Sequence, residues 1–466
     1  MLTHGLPAGK LTGGRADVID WLKRAAIRLA PVKCATRPSD MDALGNVIGE
    51  ATVVALSEAV HGALEPLEIR NRLFQYLVRE KGFTAIAIES GIVEGKQIHD
   101  YVLGGPGHPT SVVSRGMSWN FDSYVSNHEL VQWIRQYNAD PRQPRKIHFY
   151  GFDVPGSPGN VQAASGIEVA LVETLAYLAK VDKPAAQQFQ ARLNALLPRL
   201  WFDFQRPENR AGYDGLDAAE RNAVTAAITD LTALLERQET TYTSRSGPSD
   251  YEWACRVAIG ARQTDNWLRQ IPPDWQPPTK QMTFPSKETE FFAVATDVRD
   301  RAQADNLDWI IRREGAGGKV LVHASRFHLS TAPVMTGWSG PRQQQVAGTY
   351  LRRRLGNRLI SIGNLVGQGE FDSLGVKIRL SPAEPESLDG LVSEAGIPHF
   401  LADLRSAPAP VTDWLAQELP VGRGEFDLSP SRAFDVLWYL NEVTPAWTHG
   451  IDCQDQRETP LQPPSE

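Results

Sequence analysis

Acidic and histidine side chains stand directly after short apolar runs in this sequence. Glu58 and His61 follow the run 52–56, and Glu89 follows the run 84–88. A histidine beside carboxylates can take a proton from water near neutral pH, because its imidazole titrates in that range. These residue types at this spacing therefore indicate acid–base chemistry, with His61 as the candidate base and the two glutamates as its partners.

Two later apolar runs lead to further candidates for the same site. The run 146–150 leads to Asp153, and the run 319–322 leads to His323 and His328. Ligands of open α/β sheets bind outside the carboxyl ends of the strands, so we predict that these side chains meet at one edge of a sheet. Two of them have an ordinary alternative when taken alone: a helix cap or surface charge for Asp153, and a structural role for His323.

The segment after His61 predicts a helix that runs to about Arg79. Its first backbone N–H groups could stabilise an oxyanion that forms on a substrate carbonyl. Arg70 falls on the apolar stripe of this helix, so its guanidinium should point inward and require a carboxylate partner. Glu58 and Glu89 are the candidate partners. An internal salt bridge with a purely structural role is the alternative for Arg70.

Several common catalytic signatures are missing from the sequence. It contains no G-x-S-x-G, H-E-x-x-H or G-x-x-x-x-G-K-[ST] motif and no strand-associated G-x-G-x-x-G. Serine hydrolases, zincins, nucleotide hydrolases and dinucleotide oxidoreductases are therefore disfavoured. The remaining chemistry is attack by water with the help of a histidine base, without a covalent intermediate or an organic cofactor.

The order of apolar runs predicts the elements that position these residues. Short buried runs, the last at 358–362, alternate with amphipathic helices, which indicates an α/β fold with a mostly parallel sheet. Residues 1–158 are predicted to form the first part of this catalytic core. The strand signal disappears within 159–285, which predicts a helical insertion that forms part of the substrate cleft. Residues 286–453 complete the core, and the proline-rich 454–466 is predicted to be a disordered tail.

Composition limits the location and the partners of the protein. The 466 residues are 42% hydrophobic and 22% charged, which is ordinary for a globular protein. The net charge of -7 and the absence of a basic run argue against a nucleic-acid partner. Without an N-terminal apolar segment or a run long enough to span a membrane, we expect a cytoplasmic protein with no membrane partner. Cys34, Cys255 and Cys453 lie far apart and are expected to be plain thiols.

The blocks that carry these candidates resemble the erythromycin esterase family. The segment 55–62, followed by Glu65 and Arg70, is similar to the family signature Gly-Glu-x-x-His-Gly-x-x-Glu with its following arginine. The early block is quite specific, and the resemblance covers most of the chain. It continues at residues 82–89, 101–105, 133–138, 150–153, 299–301, 306, 434–435 and 444–446.

The resemblance implies a reaction and a role for each matching residue. Members of the family open macrolide lactones by hydrolysis. By resemblance, His61 is the general base that activates water, Glu58 and Glu89 orient it, and Arg70 supports the site. His328 matches the second histidine of the family's His-Asn-x-His pattern and completes the catalytic set. Related folds include metal-dependent peptidases, so a divalent metal stays an alternative to a reaction without cofactors.

Two departures from the family pattern bear on the substrate. Ser57 precedes Glu58 where the family has glycine, and Ser325-Arg326 stands where the family has His-Asn. Residues two apart on a strand point to the same side, so His323 could replace the missing imidazole. The exchange predicts a changed pH profile and a more acidic or polar ligand. Arg326 has the alternative of a solvated surface charge.

Three hypotheses about function stay open at this point. The first is an ester or lactone hydrolase, with a macrolide or another natural product as substrate and antibiotic resistance as one role. The second is a biosynthetic tailoring enzyme that acts on an amide, a peptide or another carbonyl compound. The third is a binding protein that has lost its catalytic activity. The candidate substrate-binding residues are Arg70, Trp119, Asp153, His323, Ser325 and Arg326, with a core aromatic as the alternative for Trp119.

Overall fold

The computed structural model describes most of the chain. The described residues are 14–30, 38–155, 166–201, 212–272, 290–339, 342–373, 376–422 and 424–446. The predicted tail at 454–466 lies outside them, as do Cys34 and Cys453, and Cys255 is a free thiol. Among the described residues, no helix is long and apolar enough to cross a membrane.

The strands form one large sheet and one small sheet. They are β1 Ile27–Arg28, β2 Val53–Glu58, β3 Ala85–Gly91, β4 His148–Asp153, β5 Val320–Ser325, β6 Met335–Thr336, β7 Leu359–Ser373, β8 Val376–Leu380, β9 His399–Asp403, β10 Leu419–Val421, β11 Phe426–Leu428 and β12 Val436–Val443. The large sheet has the order β1-β9-β12-β7-β2-β5-β3-β4, with β8 paired to β7. The small sheet has the order β10-β11-β6.

Helices lie between and around these strands. They are α1 Arg15–Ala25, α2 Pro38–Ile48, α3 Leu64–Lys81, α4 Ile92–Val102, α5 Pro109–Gly116, α6 Val125–Ala139, α7 Ile167–Val181, α8 Lys183–Leu193, α9 Ala218–Arg237, α10 Glu239–Ser246, α11 Pro248–Leu268, α12 Glu290–Glu314, α13 Arg326–Leu329, α14 Ala347–Leu355, α15 Leu388–Ser393, α16 Ala409–Trp414 and α17 Pro430–Ala433.

The predicted fold class is confirmed: the chain is mixed α/β with a mostly parallel central sheet. The pairs from β12 through β7, β2, β5 and β3 to β4 are parallel, and β1, β8 and β9 pair antiparallel to their neighbours. The described residues from 166 to 314 contain the helices α7 to α12 and no strand of either sheet. The predicted domain boundaries, including those of the insertion at 159–285, stay a prediction.

Both faces of the central strands are covered, which explains their continuous apolar sequence. In β2, Val53 and Ala55 belong to a core cluster on one face, together with side chains of α7, α9 and α11. Val54 and Leu56 belong to a second cluster on the other face, together with side chains of α3 and α6. Successive side chains of a strand point to opposite faces, so a strand covered on both sides must be apolar at every position.

Candidate active site

Four neighbouring parallel strands bring the predicted residues to one edge of the sheet. The strands lie in the order β2-β5-β3-β4, so their carboxyl ends are adjacent. Glu58 is the last residue of β2 and pairs in register with Ser325, the last residue of β5. Glu89 lies near the end of β3, and Asp153 is the last residue of β4. The sheet therefore gathers three buried carboxylates at one edge, two of which, Glu58 and Glu89, lie within 4.0 Å of His61.

Glu58 and His61 form a direct pair. Nδ1 of His61 lies 2.7 Å from Oε1 of Glu58, while the side chain of His61 is 41% exposed and that of Glu58 is buried. Burial alone would raise the pKa of Glu58, but His323 and His61 lower it to about 2. Burial lowers the pKa of His61, but the hydrogen bond and the charge of Glu58 outweigh it and raise that pKa above its usual value. The ionised carboxylate can only accept, so Nδ1 donates and leaves Nε2 of neutral His61 as the basic atom.

Glu89 is the centre of a larger network. Its Oε1 lies 3.0 Å from a guanidinium nitrogen of Arg299 and 3.2 Å from Nε2 of His328. Its Oε2 accepts a hydrogen bond of 2.7 Å from the backbone N–H of Ser325 and lies 4.0 Å from Nε2 of His61. Burial would raise the pKa of Glu89, but His328, His61 and Arg299 lower it well below its usual range. Glu89 therefore stays ionised beside the candidate base.

His328 is a cation at neutral pH. Its Nδ1 lies 2.9 Å from Oδ1 of Asp300, and its Nε2 faces Glu89. Burial disfavours the imidazolium, but Asp300 and Glu89 raise the pKa of His328 to about 10. The same oxygen of Asp300 also accepts a hydrogen bond from the backbone N–H of Ala347. His328 is thus suited to hold Glu89 and not to take a proton from water.

Asp153 and Trp119 are joined through Arg299. Nε of Arg299 donates to both carboxylate oxygens of Asp153 at 3.1 Å, and its guanidinium carbon lies 4.9 Å from the centre of the Trp119 ring. Trp119 also donates from Nε1 to Asp153 at 3.1 Å, and its ring meets the edge of Trp267 on α11. Both oxygens of Asp153 are therefore occupied by protein groups, and the predicted contact of Asp153 with substrate gains no support.

The structure contradicts the predicted carboxylate partner of Arg70. Arg70 is buried, but it donates to the side-chain oxygens of Asn71 and Asn127 and makes no ion pair within the described part of the chain. These amide oxygens accept hydrogen bonds from Nε and Nη2 of Arg70 without neutralising its charge, and burial lowers the pKa of Arg70 to about 10. Glu58, Glu89 and Arg70 instead line the same small cavity.

Arg326 is not a solvated surface charge. It is 1% exposed, lies 2.9 Å from Oδ1 of Asp389, and donates to the backbone carbonyl of Asn364 at 3.3 Å. Its other carboxylate neighbour is Glu425 at 3.4 Å. The alternative of a surface charge was wrong because this side chain, at the start of α13, is buried against Asn364 of β7 and Asp389 of α15. Its guanidinium binds protein carboxylates, so it gives no support to a more acidic ligand.

Ser57 and Ser325 have structural contacts. The hydroxyl of Ser57 donates to the carbonyl of Ile362 at 3.0 Å and accepts from the backbone N–H of Asn364 at 2.9 Å, which joins β2 to β7. The hydroxyl of Ser325 accepts a hydrogen bond from the backbone N–H of Phe327 and so caps the N-terminus of α13. The hydroxyl of Ser57 therefore takes part in the pairing of β2 with β7.

The turn at Gly62 is enclosed by distant segments. Its φ is +79°, and a Cβ there would lie 1.8 Å from the carbonyl oxygen of Asp372. The carbonyl of Gly62 accepts hydrogen bonds from the backbone N–H groups of Asp372 and Ala446. Helix α3 begins at Leu64, whose N–H donates to the carbonyl of Thr444 at 2.8 Å. The backbone N–H of Leu64 is therefore not available to an oxyanion, although the sequence predicted this role for the first N–H groups of the helix.

Sequence reasoning assigned no role to three charged residues of this region. Arg299 and Asp300 come from α12, where an Arg-Asp-Arg triplet resembles an ordinary solvated helix. The resemblance at 299–301 was the available signal. Glu94 follows β3 on α4 and is buried, which raises its pKa to about 8. Within the described ranges, no group of three or more His, Cys, Asp or Glu side chains could hold a metal ion.

Comparison with known proteins gives consistent relatives. A family model described as Erythromycin esterase matches residues 78–443, which include Glu89 and His328 and begin after His61. Erythromycin esterase type II of Escherichia coli is 22% identical over 380 residues, covering 79% of this chain and 84% of that protein. A Bacillus cereus protein of known structure is 25% identical, with a TM-score of 0.73 and coverage of 94% and 99%. An erythromycin esterase mutant, EreC in its open conformation, is 17% identical, with a TM-score of 0.65 and coverage of 90% and 98%.

Proposed function

Because the chain belongs to the erythromycin esterase family, we propose that it is a hydrolase that cleaves an ester or lactone by histidine-assisted attack of water. The observation that carries this proposal is the pair formed by Glu58 and His61. His61 offers a partly exposed ring with Nδ1 held by a buried carboxylate and Nε2 turned toward Glu89. Such a ring is oriented for proton transfer and is open to a substrate.

The proposed reaction consumes one water molecule and needs no covalent intermediate. Neutral His61 takes a proton from water at Nε2 while the water oxygen attacks the carbonyl carbon. The resulting imidazolium is stabilised by Glu58 on one side and Glu89 on the other. When the tetrahedral intermediate collapses, the C–O bond breaks and His61 returns the proton to the departing alkoxide. The products are a carboxylic acid and an alcohol, which remain in one molecule when the substrate is a lactone.

His328 and Arg299 support this chemistry indirectly in the proposal. Both are cations that contact Oε1 of Glu89, so they keep this carboxylate ionised at neutral pH. An ionised Glu89 favours the imidazolium of His61 during the reaction. In this scheme His328 orients Glu89 and does not itself act as a base. Arg70 places a positive charge beside the cavity behind Glu58.

The contacts of Ser325 and Arg326 weaken the reason for considering an amide or peptide tailoring enzyme. It rested on Ser325 and Arg326, which were expected to face a polar ligand. Arg326 is engaged with Asp389, and Ser325 binds Glu89 through its backbone and Phe327 through its hydroxyl. Esters and lactones of natural products, macrolides included, are therefore the first compounds to test.

The test is incubation of the purified protein with a panel of macrolides, simpler lactones, esters and amides, followed by mass spectrometry. We expect one product heavier by one water from a lactone, or an acid and an alcohol whose masses sum to ester plus water from an open-chain ester. We expect loss of this activity by a factor of about 10² or more in His61→Ala. His108→Ala is the matched control, because His108 is exposed at the start of α5. Full activity of His61→Ala would refute the mechanism, and a reaction limited to amides would refute the substrate class. A chelator added to each reaction tests the proposal that no metal takes part.

A further inference from the structure

Two buried polar atoms behind the Glu58–His61 pair have no hydrogen-bond partner within the described part of the chain. They are Oε2 of Glu58 and Nε2 of His323, which lie 3.5 Å apart. Each residue is 3% exposed. Leaving a buried polar atom without a partner costs about 1–3 kcal/mol, so two such atoms at one place require an explanation.

The protonation of His323 follows from its other ring nitrogen. Nδ1 lies 3.0 Å from the backbone carbonyl oxygen of Leu56, which can only accept a hydrogen bond. Nδ1 therefore carries a hydrogen. Burial lowers the pKa of His323 despite the nearby charge of Glu58, so the ring is neutral at neutral pH. Nε2 is then a bare acceptor, and it faces Oε2 of an ionised carboxylate, which is also an acceptor.

Both residues line a small cavity with room for about one water molecule. Its other polar lining residues include Arg70, Tyr124 and Asn127. Two facing acceptors require a ligand that donates twice. An ammonium ion could donate twice, but it would place a second cation beside buried Arg70. A neutral water molecule satisfies both acceptors and can accept from the guanidinium.

We propose that this cavity is a binding site for one resident water molecule, which donates one hydrogen to Oε2 of Glu58 and the other to Nε2 of His323. The water joins Leu56, His323, Glu58 and His61 in one continuous chain of hydrogen bonds. Water in such a chain fixes the rotation of the Glu58 carboxylate, because both of its oxygens are then held. Oε1 remains directed at Nδ1 of His61.

His323 is therefore a positioning residue for the base. This consequence rests on the proposed function, whereas the water site itself does not. The sequence places His323 two residues before Ser325, on the strand whose end lacks the histidine of the family pattern. The imidazole acts from deeper in the site, through water and Glu58, and not directly on substrate.

Nitrogen NMR of the full-length protein labelled with [15N]histidine tests the protonation pattern. We expect His323 to be neutral at pH 7, with hydrogen on Nδ1 and none on Nε2. His399 is the internal reference, because its Nδ1 faces the carbonyl of Ala30 and its Nε2 accepts from Nε1 of Trp438 at 3.0 Å. A doubly protonated His323 would pair directly with Glu58, and this result would overturn the proposal.

A high-resolution crystal structure grown without ammonium salts tests the water itself. We expect one ordered solvent peak within hydrogen-bond distance of both Oε2 of Glu58 and Nε2 of His323. Direct contact between these atoms, with no solvent peak beside them, would overturn the proposal. Neither readout uses a substrate, so a protein without hydrolytic activity could still contain the water site.

Two variants test the positioning role. In His323→Leu the acceptor is lost, and we expect a kcat at least tenfold lower with little change in KM, together with a changed titration of His61. In His323→Gln the side-chain carbonyl can accept from the same water, and we expect partial recovery of both properties. If folded His323→Leu titrates and turns over as the natural protein does, the positioning role is wrong. If His323→Leu does not fold, His323→Gln decides by the same two measurements: a variant as inactive as His61→Ala would overturn the role, because its side-chain carbonyl can still accept from the water.

Discussion

Replacement of Glu58 by glutamine removes one charge from the candidate site and keeps the shape of the side chain. Glu58 provides the largest contributions that raise the pKa of His61, through its hydrogen bond and its charge, whereas burial lowers that pKa. Without the carboxylate, burial dominates, and we expect the pKa of His61 to fall. A base acts in its neutral form, so the acid limb of kcat/KM should move to lower pH in Glu58→Gln.

The size of the expected fall in the pKa of His61 can be worked out from the pKa of the Glu58 carboxyl group. Burial opposes its ionisation, yet His323 and His61 lower its pKa from 4.5 to about 2. At about 1.4 kcal/mol for each tenfold change in proton affinity, this fall corresponds to about 3 kcal/mol. His323 has the larger share, which it exerts only when its ring is protonated. Solvent screens the share of His61, whose side chain is 41% exposed. We assign about 1 kcal/mol to the pair of Glu58 and His61.

The effect on turnover should be larger than the effect on proton affinity. Glutamine can present either an oxygen or an NH2 group to Nδ1 of His61, so the ring loses its fixed tautomer as well as the charge that stabilises its imidazolium. General bases contribute about 10²–10⁴ in rate, and we expect kcat to fall within this range.

The direct assay is an NMR titration of the His61 ring, identified by comparison with His61→Ala, together with the pH dependence of kcat/KM on any substrate found in the panel. Glu68→Gln is the matched control, because Glu68 lies on α3 and accepts a hydrogen bond from the hydroxyl of Ser126. If His61 titrates at the same pH in Glu58→Gln and in the natural protein, the assignment of its raised pKa to Glu58 is refuted.

Three further predictions concern stability. Burial raises the pKa of Glu94 from 4.5 to about 8, so the unfolded chain binds fewer protons between these pH values and stability falls as pH rises. We expect Glu94→Gln to increase the free energy of unfolding in urea by about 3 kcal/mol at pH 7 and to have little effect at pH 4. Gly62 and Gly82 both have positive φ, but only a Cβ at Gly62 meets a backbone carbonyl, at 1.8 Å. Gly82→Ala should lower the free energy of unfolding by about 1–2 kcal/mol, and Gly62→Ala should lower it by far more. Equal melting temperatures of the two variants would contradict this expectation. Arg326→Met leaves Asp389 buried without its cation and should cost about 3–5 kcal/mol, whereas unchanged unfolding in urea would show that the pair is unimportant.

Local sequence predicted the central strands well and the outer strands poorly. The run 52–56 predicted β2 because a strand that is buried on both faces is apolar at every position. The run 358–362 predicted only the beginning of β7, which continues to Ser373. Its second half pairs with β8, whose side chains are mostly exposed, so the apolar signal disappears there. Strand pairing of this kind depends on contacts that a local pattern does not contain.

In the candidate site too, contacts between residues close in sequence could be predicted, whereas contacts between distant segments could not. Glu58 and His61 are three residues apart, so the sequence could predict their contact from a single turn after β2. Arg299 contacts Glu89 across 210 residues, and no local pattern identifies that partner. The predicted carboxylate partner of Arg70 was wrong because its guanidinium donates hydrogen bonds to two asparagine side chains instead. Burial of a charge predicts that it needs hydrogen bonds but does not specify which groups provide them.

The sequence by itself determined the alternation of the central strands with helices, the edge where the acidic and histidine residues meet, and the candidate base. Only the tertiary structure decided the protonation state of each group. The same imidazole ring behaves differently at three positions. The pKa of His61 is raised, that of His323 is lowered, and that of His328 is raised to about 10. These differences arise because burial disfavours charge, and because the carboxylates that oppose burial come from segments far apart in the chain.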